Sequence, residues 1–324
     1  MHILDAHSDA PMWMLRGRDY GKDNPGTQVD FPKMLRSGVC SSFFALYVPS
    51  SMSAAEAADY ADSMLAELKR QVAANPDKAA FATDAASMEA NAAKGLVSVF
   101  IGLENGSALL GRTDMLEYLY AEGVRYVTLC HSADNGLCDS CTGLGTWGGL
   151  SAEGRRLVGE MNEIGMVIDL AHTSDATKRD VLELSRKPVA YTHGCCSAIC
   201  SHKRNISDEL MRSIAEKNGV VCISVFPPFL TDRLFDLDDD IPDPRPMPGV
   251  EDVVRHIVHA VKIAGVGHVG IGTDFDGINH TPTGLESIEK LPFLFDALRK
   301  KGFSEGDLSK MASENLLRVI SAQK

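Results

Sequence analysis

Eight short apolar runs recur along this chain, and a stretch patterned for an amphipathic helix separates most of them from the next. The runs cover 2–6, 39–48, 96–103, 124–130, 166–170, 188–192, 220–226 and 269–272. Most are apolar nearly throughout, as strands covered on both faces are. Helical patterns fall at 54–72, 87–93, 114–121, 152–164, 176–185, 208–217 and 250–264. Ser151, Ser174 and Ser207 stand where helix caps belong, and Gly95, Gly123, Gly165, Gly219 and Gly265 close the segments before the next strand. With no internal repeat and no break in composition, this alternation predicts an α/β fold. The expected form is a single (β/α)8 TIM barrel spanning residues 1–324, with extra C-terminal helices at 286–300 and 304–321. A doubly wound open sheet would carry a glycine-rich phosphate loop after its first strand, and "HSD" is no such loop. Pro11 is expected to end regular structure after that strand. The proline- and aspartate-rich stretch 227–249 reads as a long loop after the seventh strand, a lid over the barrel mouth or an inert excursion.

Composition narrows the partners. A formal charge of −12 argues against a nucleic-acid partner, which would want a basic face. No apolar run approaches the ~20 residues that span a bilayer, and no basic-then-apolar leader opens the sequence. The eight cysteines are scattered, several in strand-like runs, as reduced thiols in a cytoplasmic protein would be. Cys138 and Cys141 have CxxC spacing, but no second pair or nearby histidine completes a structural zinc site.

A barrel of this kind works at the C-terminal ends of its strands. His7 and Asp9 follow the first strand, Glu104 the third, His131 the fourth, His172 the fifth, His193 the sixth and Asp274 the eighth. Each has a bland reading alone: a frayed end for His7 and Asp9, a helix-cap acid for Glu104, a loop hydrogen bond for His131. His172 and His193 could be satisfied core histidines, and "DFDG" is turn chemistry. Together, six strand ends bring imidazoles and carboxylates to one region, which is costly unless a cation gathers them. Histidine and carboxylate without cysteine suits Zn2+, or Mn2+ and Co2+ in its place. The set exceeds one tetrahedral ion, so two ions are expected, with Glu104 the natural bridge between them. His256 and His259 on a helix, His202 and His280 in loops, and His268 at the opposite end of a strand are poorer candidates.

The ordered motifs "DAHSDAP", "GLENG", "TLCHSADN", "GLSAEGRRLVGEMNEIGMVIDLAHTS", "PVAYTH", "HKRNISDE", "VGIGTDFDG" and "SENLLRVI" span nearly the whole chain. They resemble the renal (membrane) dipeptidase family, binuclear zinc peptidases with a (β/α)8 barrel. That resemblance implies that His7 and Asp9 hold one zinc, that His172 and His193 hold the other, and that Glu104 bridges them. His131 would contact the scissile carbonyl, Arg204 would grip the substrate's C-terminal carboxylate, and Asp274 would handle the proton, with Asp276 as its alternative. It also implies a dipeptide substrate, L-Xaa-L-Xaa or L-Xaa-D-Xaa, cleaved by a metal-bridging hydroxide, and a tendency to homodimerise. Two departures stand out. Glu104 precedes Asn-Gly where mammalian members have Gly-Gly, and the 135–147 loop beside His131 is unlike theirs. The mammalian secretion and lipid anchoring do not carry over, for want of a leader or hydrophobic tail. The alternatives are a related barrel amidohydrolase acting on N-acyl amino acids or other small amides, and a degenerate barrel kept as a scaffold.

Overall fold

The structure is a computed structural model that describes residues 1–38, 40–234 and 245–324. Nine parallel strands form one sheet: β1 (Ile3–Ser8), β2 (Cys40–Tyr47), β3 (Ala79–Phe81), β4 (Val97–Glu104), β5 (Val124–Thr128), β6 (Val167–Asp169), β7 (Ala190–Gly194), β8 (Val220–Ile223) and β9 (Val269–Ile271). Eight of them run β1-β2-β4-β5-β6-β7-β8-β9, the order of a (β/α)8 barrel. The ninth, β3, lies off that path and pairs only with β4, on the lower part of the edge whose upper part pairs with β5. The ring closes at its C-terminal rim. There Ser8 bridges Phe275, the Asp9 N–H donates to the Phe275 carbonyl at 2.8 Å, and the Asp274 N–H donates to the His7 carbonyl at 3.1 Å.

The serine caps form as the sequence predicts. Ser151, Ser174 and Ser207 accept the backbone N–H of Gly154, Thr177 and Leu210, starting helices Ala152–Ile164, Asp175–Leu184 and Asp208–Glu216. Gly165 closes the first of these in the left-handed region at φ 85°. At the end of the third, the left-handed residue is Asn218 (φ 56°) rather than Gly219. Gly219 is needed for a different reason: a Cβ there would collide with the Val189 carbonyl.

Pro11 does not stop the chain. Helix Ala10–Leu15 starts at Asp9 with Pro11 in its first turn, where the missing N–H costs nothing. Helix Phe31–Ser37 repeats the device with Pro32, capped by the Asp30 carboxylate on the Lys33 N–H. Of the proline-rich stretch 227–249, the described part includes a single helical turn, Pro227–Leu230, and a 3-10 turn, Asp232–Leu234. Residues 235–244, and with them the lid expectation, lie outside the described residues.

Leu4, Ala6, Phe43, Phe100, Tyr126, Val167, Ala190, Val220 and Cys222 come from seven barrel strands and pack as one cluster around the axis. Leu316, Leu317, Val319 and Ile320 of helix Asn315–Ser321 join that cluster. The barrel interior is thus filled by its own side chains and sealed by the C-terminal helix. The expected helix at 304–321 is really three pieces, Glu305–Ser309 and Asn315–Ser321 joined by a π-helical turn over 310–314. A larger cluster fills the layer between the strands and the outer helices. No helix of the described residues is long and apolar enough to cross a membrane.

Candidate metal centre and active site

Register and backbone strain carry the polar side chains into the barrel mouth. Pairing of β1 with β2 is irregular between Asp5 and Ser8, which turns His7 away from a plain alternation. Glu104 is the last residue of β4, and His193 lies in β7. His172 and Asp274 sit just past β6 and β9 at φ 65° and 70°, conformations a branched or bulky side chain rarely adopts. "DFDG" ends in glycine because a Cβ at Gly277 would collide with the Asp9 carboxylate.

Glu104 stands between two groups. Its Oε2 is 3.6 Å from His7 Nε2, which is in turn 3.7 Å from Asp9 Oδ2. Its Oε1 is 2.9 Å from His172 Nε2 and 3.4 Å from His193 Nε2, and those two nitrogens are 2.9 Å apart. His7 Nε2, Asp9 Oδ1 and His172 Nδ1 are buried with no hydrogen-bond partner. Buried donors and acceptors are normally paired, so these orphaned atoms fit a site built for cations. His7–Glu104–His193, Glu104–His131–His172 and His7–Asp9–Asp274 each offer ligand atoms within 4.8 Å of one another.

The electrostatics agree. Burial holds His172 and His193 well below the usual imidazole range, with Arg204 also opposing their protonation and His7 adding to that at His193. Both are therefore neutral, as metal ligands must be. Burial alone would raise Glu104, yet His7 and its bonds to His172 and His193 hold it well below the carboxylate range. Burial opposes a proton on His7, but Glu104 and Asp9 raise it well above its ordinary value. A proton on His7 thus stands between Glu104 and Asp9, where a cation would serve the same carboxylates.

Three further residues ring a cavity of about 350 Å3 that opens above this group. His131 packs on the His172 ring at 4.2 Å between centroids, and burial lowers its pKa. Asp274 is raised well above the usual carboxylate range by burial, with Asp9 and Glu104 adding to the effect. Asp276, by contrast, is spent on structure. It accepts from Tyr20 Oη at 2.5 Å and from the Gln28 N–H at 2.6 Å, so of the two aspartates it is Asp274 that faces the cavity. Arg204 is buried with Nη2 2.9 Å from His172 Nε2 and with Nη1 unpartnered. Met12, Tyr47, Phe226, Phe229 and Ile278 form the apolar side of the cavity.

The loop at 135–147 is held rigidly beside His131. Asp134 Oδ2 accepts the N–H groups of Leu144, Gly145 and Thr146, and Ser140 Oγ donates to the His131 carbonyl at 2.6 Å. Cys138 and Cys141 are free thiols. The poorer histidine candidates stay apart from the centre: His256 bonds Leu230, His259 bonds Asp208 and His268 bonds Gly219. Sequence reasoning missed the residues behind the candidate ligands. Tyr126 Oη lies 2.8 Å from His7 Nδ1, and Thr192 Oγ1 lies 2.9 Å from His193 Nδ1. The one signal was an acid, Asp169, inside the apolar run at 166–170.

A family profile described as membrane dipeptidase, peptidase family M19, matches residues 1–324. The chain is 32% identical over 335 aligned residues to a dipeptidase (aclJ) of Aspergillus oryzae, covering 98% of this chain and 77% of that protein. Among solved structures, a metallopeptidase from Rhodobacter sphaeroides liganded with a phosphinate mimic of the dipeptide L-Ala-D-Ala superposes with a TM-score of 0.90. It is 26% identical, with 100% of this chain and 99% of that chain covered. A dipeptidase AC described as a metallopeptidase of family M19 gives a TM-score of 0.90 at 27% identity, covering 100% and 98%.

Proposed function

The chain belongs to the membrane dipeptidase family, peptidase family M19, and on that premise we propose that this metal-dependent dipeptidase is a single-domain enzyme using two Zn2+ ions. His7 and Asp9 would hold one ion and His172 and His193 the other, with Glu104 shared between them. The observation that carries this reading is the division of Glu104: Oε2 faces the first pair and Oε1 the second. A histidine and carboxylate donor set without cysteine suits zinc, with Mn2+ and Co2+ able to take its place. Bound there, the metal would supply a water activated near neutral pH and a polarised scissile carbonyl.

The chain's own groups do the remainder. Arg204, buried and with Nη1 unpartnered, offers a planar fork to the substrate's free carboxylate and sets the length of substrate that fits. His131, neutral when free of substrate, donates to the carbonyl oxygen as charge develops on it. Asp274, which also lines the cavity, takes the proton of the attacking water and returns it to the leaving amine. The substrate is a dipeptide, L-Xaa-L-Xaa or L-Xaa-D-Xaa. The L-Ala-D-Ala mimic held by the Rhodobacter sphaeroides relative supports the second form. Seven described cysteines are free thiols, six of them buried, which supports a cytoplasmic location.

Metal analysis tests the centre. The purified wild type should carry about two ions per chain, and Glu104→Gln should lose both tight binding and turnover, because a neutral amide bridges two cations poorly. A Glu104→Gln protein with two tightly held ions and near-normal rates would overturn the assignment.

A further inference from the structure

Asp169 ends β6 with both carboxylate oxygens engaged. Oδ1 accepts the Ala171 N–H at 3.1 Å and the Thr192 N–H at 2.9 Å. Oδ2 lies 2.5 Å from Thr128 Oγ1 and 2.7 Å from Thr192 Oγ1. The Thr192 hydroxyl also touches His193 Nδ1, whose ring turns Nε2 toward Glu104 and His172.

A hydroxyl has one proton to give. While Thr192 gives it to the Asp169 carboxylate, its oxygen can only accept from the imidazole. The ring proton must then sit on Nδ1, which leaves the lone pair on Nε2. That is the tautomer a metal ligand requires. The same carboxylate holds the N–H of Ala171, in the turn that brings His172 round at φ 65°. Asp5 is a buried acid of the same kind in β1: it accepts from the Thr273 N–H and hydroxyl, the Ser42 hydroxyl and the His7 N–H, and ties β1 to the rim beyond β9, but it touches no imidazole-bound hydroxyl.

We infer that Asp169 is a positioning residue for one ion: through Thr192 it fixes His193 as the Nδ1–H tautomer, and through Ala171 it holds the His172 turn. This rests on the reading of these histidines as ligands. In Asp169→Asn the amide NH2 would occupy one oxygen position. Facing Thr192, it forces the hydroxyl to donate to His193 Nδ1 and drives the ring proton to Nε2. Facing the two backbone N–H groups, it sets donor against donor.

The test is competition for Zn2+ between a chromophoric chelator and each protein, with thermal unfolding of the metal-free forms alongside. In Thr192→Val and Asp169→Asn, one ion should bind roughly 10- to 100-fold more weakly, the range for losing a group behind a ligand. Thr192→Ser, which keeps the hydroxyl, should restore affinity to within about threefold by the same reasoning. A purely structural role would lower the melting temperature of the metal-free forms and leave the zinc affinity of folded protein unmoved. Wild-type affinity for both ions in Thr192→Val, or an equal loss in Thr192→Ser, overturns the inference even if Asp169→Asn fails to fold. A wild type that binds no ion overturns the metal reading itself, and with it this one.

Discussion

Arg204 carries its charge into a buried position where, among the described residues, no carboxylate lies within 4.0 Å of it. Its Cζ sits over the Phe229 ring at 5.3 Å, and Tyr191 Oη donates to its backbone carbonyl, so both head and main chain are held. An uncompensated buried guanidinium costs folding energy, and a substrate carboxylate would compensate it. Arg204→Ala is therefore expected to lower kcat/KM for dipeptides by about 2–5 kcal/mol, the range for breaking a desolvated charged pair. Arg204→Lys should recover little, because a point charge lacks the bidentate fork. The wild type should favour a dipeptide over its C-terminal amide, and the Ala variant should treat the two alike. Steady-state kinetics on one such pair checks this. If the wild type cleaves acid and amide equally, the broader amidohydrolase reading gains.

Helix Val250–Ala264 is tied toward the barrel mouth by the His256 imidazole, beside an Arg255 bond to the same Leu230 carbonyl. His256 Nδ1 accepts the Cys196 N–H at 3.1 Å, and Nε2 donates to the Leu230 carbonyl at 3.2 Å. That pair of bonds needs the neutral ring, and burial lowers its pKa to about 4. An unfolded histidine titrates near 6.5. The stability that the neutral ring supplies is thus complete above pH ~6.5 and drains away as pH falls toward 4, by roughly 2 kcal/mol at pH 5. Urea unfolding at pH 7.5 and 5 should show that extra loss in the wild type and not in His256→Gln, whose amide offers an acceptor and a donor but no proton to gain. At this scale the sequence was legible wherever an apolar run stood out from its flanks. All eight barrel strands lie on such runs, with ends displaced by at most three residues. The three-residue β3, "AAF", was not, since two alanines leave no apolar signal. Pro11 misled because proline's clash lies with the preceding turn, so the residue that ends one helix can open another. The proposed ligands were legible because each falls at or just past an apolar run. Asp169 and Thr192 were not, because an acid and a threonine inside strands look like pattern noise until their partners are seen.

Across the whole molecule, two features bind distant parts of the sequence into one object: the helix that plugs the barrel floor and the rim contact that joins its first and last strands. Leu316, Leu317, Val319 and Ile320 are buried against side chains from the strands. At about 1.5–3 kcal/mol each, these four side chains contribute roughly 6–12 kcal/mol. That matches the whole net stability of a typical domain, about 5–15 kcal/mol. A chain ending at residue 314 should therefore show no cooperative thermal transition by circular dichroism; a truncated protein that melts as sharply as the full chain would show the plug to be dispensable. The rim contact has a consequence in time. His7 and Asp9 leave the ribosome early, but Asp274, whose N–H donates to the His7 carbonyl, is 265 residues behind Asp9. At about 5–20 residues per second the nascent strand waits roughly 13–53 s for the neighbour that completes its pocket. During that interval, the two proposed ligands of the first strand travel on an unfinished polypeptide, open to any scavenging ion or chaperone. Closure of the rim is thus a step that waits for β9, and a chain stalled between β7 and β9 would carry all five proposed ligands yet lack Asp274 and the rim contact, and is expected not to turn over.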